Sequence, residues 1–480
     1  MTTGPGGVVA RHVVVVGGGI TGLAAAWEAV HHPGVTVTVL EAGDRLGGKV
    51  RTSALELPTG PLVVDEGADN FLARVPDAVR LCEELGLADE LVTPRVGRAL
   101  VALDGRLLPY PLRHVLGVPL DLDDLAATGI LSADGLAAVA AERDRPRPAP
   151  GDDVAIGPYL AERFGAELVD HVVGPLVGGI NAGDVEELSL RAVVPQLADA
   201  AAAGGVLSEV LRERLAAAPP AGPVFLAVPG GTGRLVATLA ARLAARGADV
   251  RTGAPVVALD GGAAGDPERG ATKVRLASGE ELTADAVVLT TPTSAAAPLV
   301  RAVSPAAAAL LDGIDHVPVA FVAFAFDRDG AQLPEGFSGA LVPRDAGMLL
   351  TAASFGSAKW AAWDDGRHVV LRAAAGHRHD RRHTDLDDDE LTAALLGELR
   401  TVLDLTGEPV AARVTRWDPG FAQYTVGHPD RVERIGRLLA HDAPTVAVAG
   451  ADLGGLGLPA CIRQGREAVQ DLLRRTSRRW

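Results

Sequence analysis

Two glycine-rich turns, each set between a strand-like and a helix-like run, stand at opposite ends of this chain. In the first, the β-branched run His12–Val16 leads without a gap into GGGITG, where Gly17, Gly19 and Gly22 have the spacing G-x-G-x-x-G. Gly17 permits a tight turn, Gly19 lets the backbone approach a diphosphate, and Gly22 lets the following helix lie close to the strand. The pattern predicts a helix from about Ile20 to His31. Its first-turn N–H groups, with Gly18, Ile20 and Thr21 beside them, favour an anion at that end. A second strand follows, with Val35, Val37 and Val39 alternating with threonines, and it ends on Glu41 and Ala42. A carboxylate at that point can accept hydrogen bonds from both ribose hydroxyls of an adenosine and repels a 2′-phosphate. Strand, glycines, helix, strand and acid in this order predict a dinucleotide site on an α/β fold.

Composition bounds what surrounds that site. At 480 residues the chain exceeds what one hydrophobic core supports, so two or three domains are expected. The net charge of −16 argues against non-specific nucleic-acid binding, which needs a basic surface. No apolar run reaches the roughly 18 residues of a membrane span. The N-terminal MTTGPGGVVARH lacks the charged and apolar regions of a secretory leader. Two cysteines, Cys82 and Cys461, build no disulfide framework. A cytoplasmic protein is expected, with peripheral membrane contact and oligomeric state left open.

Past Glu41 the chain reads EAGDRLGGKVRT, placing Gly47, Gly48 and Lys49 among Arg45 and Arg51. This resembles the second signature of the FAD-binding amine-oxidase-like superfamily, an R-x-G-G-[RK] stretch after the ribose-binding acid. VDEGADNF, with Gly67, Ala68, Asp69 and Asn70, resembles the superfamily's next element, a glycine turn close to the flavin ring. Further on, VPGGTGRLVATLAARLAARGADVRTGAPVVALDGG reads as a glycine turn, an amphipathic helix and a strand, with Leu235, Leu239 and Leu243 on one helix face. Two more strand signals suggest an antiparallel meander. In the superfamily such a meander covers the adenine through a valine backbone contact, here Val256 or Val257.

The second glycine turn then acquires a purpose. FAD is longer than its adenosine half, and one turn holds only the diphosphate end. AGADLGGLGLPACIRQG, with Gly450, Asp452, Gly455, Leu456 and Gly457, can set N–H groups and a helix N-terminus against the ribityl chain and ring system. Asp452 is a candidate partner for ribityl or phosphate-linked groups. The expected organisation is a discontinuous Rossmann-like FAD-binding domain (1–77, 222–300 and 418–480), a mainly helical subdomain (78–221) and a substrate-binding sheet domain (301–417).

Six stretches in order resemble the protoporphyrinogen/coproporphyrinogen oxidases of haem biosynthesis: GGGITGLAAAW, EAGDRLGGKVRT, GADNFLARVPDAVRLCEELGL, GPLVGGINAGDVEELSLRAVVPQL, RWDPGFAQYTVGHPDRV and GADLGGLGLPACIRQG. The resemblance spans nearly the whole chain. It implies non-covalent FAD, with Trp417 beside it, and oxidation of coproporphyrinogen III to coproporphyrin III. Dioxygen is then the acceptor and hydrogen peroxide the by-product. Protoporphyrinogen IX is the alternative substrate, and an amine or polyamine oxidase the more distant alternative. No acid–base triad is needed, since the cofactor carries the chemistry. Candidate contacts for the substrate propionates are Arg74, Lys359 and His428, and Asn181 is a further candidate contact for the substrate. The chain departs from the family pattern at Asn181 (usually tyrosine), Ala460 (usually acidic) and Val75 (commonly lysine).

Other clusters read as structural. GHRHDRRH (His377, His379, His383) interleaves arginines with its histidines, which opposes a cation, so a solvated loop is expected and no metal. DLDDDE (385–390) lacks the spacing of a calcium loop and precedes a leucine-rich helix, so it reads as acids at a helix N-terminus. Cys461 reads as a packed thiol rather than a covalent flavin tether.

Overall fold

The structure, a computed structural model, describes residues 11–144, 147–217, 222–261 and 271–477. The leader reading of residues 1–10 therefore lies outside the described residues, as do residues 145 and 146 of the loop AERDRPRPAPGDD, expected to interrupt the helical stretch. A five-stranded parallel sheet organises one half of the molecule. Its order is Asp249–Arg251, Val35–Leu40, Arg11–Val16, Ala286–Leu289, Val446–Val448. Strands from both ends of the chain thus share one sheet. Parallel strands buried on both faces read as unbroken apolar runs, and Val13, Val14, Val15 and Val16 are all buried.

The opening helix, Ile20–Ala29, lies on this sheet and ends two residues before His31. The closing helix, Leu458–Ser477, packs along it so closely that a Cβ on Gly465 would fall 2.2 Å from the Thr21 carbonyl oxygen. On the helix Gly233–Ala245, Leu235, Leu239 and Leu243 are buried, as their four-residue spacing requires. The meander forms from Val256–Gly261, Thr272–Leu276 and Glu281–Ala284.

The second sheet has seven strands, in the order Pro409–Ala422, His316–Asp327, His368–Ala375, Leu350–Ser354, Phe337–Leu341, Arg98–Leu103, Arg106–Pro109. Two expectations need correction here. Arg98–Leu103 and Arg106–Pro109 fall within the stretch read as mainly helical, yet they extend the substrate sheet. Asp104 and Gly105 join them with φ of 51° and 70°, an Asp-Gly hairpin loop that was legible in VALDGRLL. The long strand Pro409–Ala422 also runs across the expected boundary at residue 417.

Much of the rest of 78–221 is helical, around a core that includes Ile156, Leu160, Phe164, Val172 and Leu197. It contains the π-helical stretch Val169–Gly178 with Pro175 inside it. Asp387 and Glu390 form a capping box on the helix Asp388–Val402, which accounts for the acidic run. GHRHDRRH is not a solvated loop throughout: His377 and His383 are buried while His379 faces Asp184 and Glu187. The sheet ends at Ala375, and the tight return that follows tucks both rings inward. No helix among the described residues is long and apolar enough to cross a membrane.

Candidate functional site

The first glycine turn is held almost wholly by its own neighbourhood. Gly17 has φ +110°, a conformation that side chains strain to adopt, and a Cβ on Gly22 would fall 1.9 Å from the Gly17 carbonyl oxygen. Gly18 donates to Glu41 Oε2 at 2.6 Å, and Gly43 donates to Oε1 at 2.8 Å. The Glu41 carboxylate therefore sits pinned beside the turn. Thr290, in the TTP that ends the next strand, donates to the carbonyls of Val16 and Gly17, both at 3.0 Å. Sequence reasoning missed it, although a hydroxyl after a buried apolar run was the available signal.

Gly19 has a different setting. A Cβ there would approach nothing nearer than Gly48 Cα at 4.0 Å, so the two glycines face each other across open space. The N–H groups of Gly19, Thr21 and Gly22 meet no acceptor among the described residues. Together with the helix dipole they make an anion-binding cradle. On the edge of the meander the ladder skips from Val256 to Ala258, leaving Val257 out of register and 54% exposed while Val256 stays half-buried. Ala42 is exposed just beyond Glu41.

The second turn adjoins the first. A Cβ on Gly450 would lie 4.0 Å from Thr21 Oγ1 and 3.9 Å from the Thr290 oxygen. Groups from near and far hold it, Tyr424 and Gln464 within 31 residues and Thr293 and His316 more than 130 away. Tyr424 Oη donates to the Ala451 carbonyl and accepts from Gly455 N–H at 2.9 Å. Gln464 Oε1 accepts from Gly450 and Gly454 N–H at 3.2 and 3.0 Å. The Asp452 carboxylate accepts from Thr293 N–H at 2.8 Å and from His316 Nε2 at 2.7 Å. Both bonds fall on Oδ2, and Oδ1 meets no donor among the described residues. The N–H groups of Ala451, Leu456 and Gly457 meet no acceptor among the described residues.

Lys49, Gly67 and Trp417 come together between the turns. Lys49 Nζ donates to the Gly420 carbonyl, and burial lowers its pKa against the pull of Asp452. A Cβ on Gly67 would fall 2.7 Å from the Lys49 oxygen and 3.8 Å from Trp417 Cζ2. The Trp417 indole N–H is buried and finds no partner among the described residues. Arg372, absent from the sequence reading, fixes this loop by donating to Gly67 O at 2.6 Å and Asp65 O at 3.0 Å. Ala68 offers its carbonyl to the buried Thr232 hydroxyl at 2.8 Å. Asn70 donates to Asp69 at 2.6 Å.

Three of the four residues read as substrate contacts are otherwise engaged. Lys359 is paired with Asp69 at 2.9 Å, and Trp360 Nε1 donates to the same oxygen at 2.7 Å. Burial opposes ionisation of Asp69, but Lys359 and Arg372 outweigh it and hold the carboxyl at about 2. His428 is 1% exposed, stacked on Tyr424 at 4.1 Å, with Nε2 donating to the Leu453 carbonyl at 2.9 Å. Burial lowers its pKa, so it offers an anion no charge. Asn181 is buried and donates to Val177 O at 2.7 Å within its own helical turn. Arg74 alone of the four is exposed, its Nη2 3.5 Å from Gln196 Oε1. Cys461 is buried and free, and burial pushes its thiol up to about 11.

Known proteins share this arrangement. The profile of the flavin containing amine oxidoreductases matches residues 20–473. The chain belongs to that family. It is therefore an oxidoreductase with a flavin cofactor, and the unpartnered N–H groups of the two adjoining turns fit one. Among curated relatives, a coproporphyrinogen III oxidase of Propionibacterium freudenreichii subsp. freudenreichii is 34% identical, over 96% of this chain and 90% of that protein. The coproporphyrinogen III oxidase of Bacillus subtilis (strain 168) is 31% identical, over 96% and 98%. A crystal structure from Exiguobacterium sp. 255-15, provisionally named a protoporphyrinogen oxidase, superposes with TM-score 0.84. It is 31% identical and covers 97% of this chain and 99% of that one.

Proposed function

We propose that this protein binds FAD non-covalently and oxidises coproporphyrinogen III to coproporphyrin III, with dioxygen as acceptor and hydrogen peroxide released. The observation that carries the reading is likeness over nearly the full length to several coproporphyrinogen III oxidases, at 31–34% identity. The cradle supports FAD over a shorter flavin. Gly19, Thr21 and Gly22 N–H would hold the diphosphate, Glu41 the adenosine ribose, and Val257 the adenine edge through its backbone. The second turn would present Leu456 and Gly457 N–H to the ring end. Lys49, Gly67, Ala68 and Trp417 would line the groove between.

When bound, such a cofactor supplies acceptance of a hydride from a carbon of the tetrapyrrole, the pyrrole N–H giving up its proton. The chain's own residues then have three tasks. The backbone donors position the cofactor, and the Asp69–Lys359–Arg372 cluster stiffens the loop that carries Gly67. Arg74 is the proposed propionate donor, an exposed guanidinium suited to a carboxylate. Lys359, His428 and Asn181 support the site instead of touching the substrate.

The purified protein should show a flavin spectrum, released on denaturation as FAD, and should form peroxide steadily with coproporphyrinogen III. The Exiguobacterium structure favours protoporphyrinogen IX as the second reading. A higher kcat/KM for protoporphyrinogen IX under matched detergent would replace the first reading by the second. Rapid bleaching by common amines without turnover of either porphyrinogen would overturn both.

A further inference from the structure

His316 and Asp452 meet across the two halves of the molecule. His316 opens the strand His316–Asp327 of the seven-stranded sheet, whereas Asp452 lies in the second glycine turn. Their side chains are 11% and 7% exposed. A carboxylate only accepts hydrogen bonds, so the 2.7 Å contact places a proton on His316 Nε2. The second donor, Thr293 N–H, belongs to the first turn of the helix Thr293–Arg301. Both donors converge on Oδ2, and Oδ1 has no donor among the described residues. Burial raises the carboxyl pKa, but His316, the Thr293 N–H and Lys49 outweigh it. Around the pair stand Asp315, which accepts the His316 N–H at 2.8 Å, and Arg381, which donates to the His316 carbonyl at 3.1 Å.

We propose that Asp452 is a fixed negative charge that sets how readily the flavin beside the second glycine turn takes up electrons, and that His316 is its counterweight. The inference rests on the proposed placement of the flavin against that turn. Reduction adds negative charge to a flavin, and an anionic neighbour in a poorly solvated site opposes it. His316 offsets that opposition by holding the carboxylate with a donor from the substrate sheet. A change in the strand that begins at His316 would thereby reach the cofactor as a change in electrostatic potential. Fold stability alone makes no such link.

The test is the flavin midpoint potential, measured without porphyrinogen in parent, D452N, H316A and H316Q proteins. D452N removes the charge and should raise the potential. H316A leaves the carboxylate with one donor and should lower it. H316Q restores an amide donor and should fall between H316A and parent. Opposite signs for D452N and H316A are what a structural role cannot produce. Shifts of the same sign, or parent-like potentials in both with flavin bound, would overturn the proposal while leaving the oxidase reading intact. A parent protein that takes up no flavin at all would remove the underlying reading and this proposal with it. Should H316A not fold, H316Q takes its place, and a potential below parent in H316Q with one above parent in D452N is the expected result.

Discussion

The two glycine turns do related work by different means. The first is supported from within about thirty residues by Leu40, Glu41 and Gly47, with Thr290 and the closing helix packed on Thr21 as its distant supports. The second depends on Tyr424, His428 and Gln464, 10–31 residues away, and on Thr293 and His316, 159 and 136 residues from Asp452, drawn from one sheet strand, one loop and three helices. The first turn is a local structure that tertiary packing finishes. The second adds two links to remote parts of the molecule, through Thr293 and His316, so damage to the strand that begins at His316 should be felt there first.

The sharpest way to break this comparison is at Gly22. Gly22→Ala drives a methyl into the Gly17 carbonyl, and overpacking against backbone should cost upwards of about 3 kcal/mol. Gly19→Ala, at φ −70° with open space around it, should cost no more than about 0.5 kcal/mol yet abolish flavin retention by filling the cradle. Chemical unfolding and flavin occupancy, measured on both, separate the roles. Equal stability losses would show that Gly19 is also a packing glycine.

Asp69→Asn strands Lys359 in a largely buried site and should cost about 3 kcal/mol at pH 7. The carboxyl is depressed in the folded protein, so its stabilisation is full above the unfolded value near 4. It is lost as pH falls toward about 2. The acid limb of stability against pH should therefore flatten in this variant, and an unchanged limb would show that Asp69 does not govern it. Tyr424→Phe removes the hydroxyl that serves both Ala451 and Gly455, for about 1–2 kcal/mol and a faster flavin off-rate. An off-rate equal to the parent's would mean the second turn is held without it.

The smallest effect belongs to Arg74→Ala. An exposed propionate contact remote from the reacting carbon binds ground and transition states alike, so KM for coproporphyrinogen III should rise several-fold with kcat nearly unchanged. A collapsed kcat with constant KM would place Arg74 at the chemistry instead.

What could be read from the sequence follows the same division. The G-x-G-x-x-G turn, the acid after the second strand and the leucine face of Gly233–Ala245 were legible because their determinants are neighbours in sequence. The spacing of the second turn was legible too, but not its supports. Whether His428 points at a substrate or beneath a turn depends on where Tyr424 packs, and no local pattern carries that. Lys359 read as a free cation because Asp69, its partner, is 290 residues away. The Asp104–Gly105 hairpin was a different failure: the local signal was there, and the helical patterning around it was given more weight.

The sheet that joins both ends of the chain also sets an order of events during synthesis. The strand Arg11–Val16 leaves the ribosome some 430 residues (446 less 16) before its outermost parallel companion, Val446–Val448, is made. At about 5–20 residues per second that interval is roughly 20–90 s. Throughout it the apolar edge of Ala286–Leu289, once made, has no neighbour on one side, and Thr21 lacks the closing helix that covers it. A nascent chain can build the first glycine turn early, but the closing helix that covers Thr21 docks only after Val446–Val448 is made. A chain stalled short of Val446 carries an uncovered, aggregation-prone strand edge that cellular quality control can recognise.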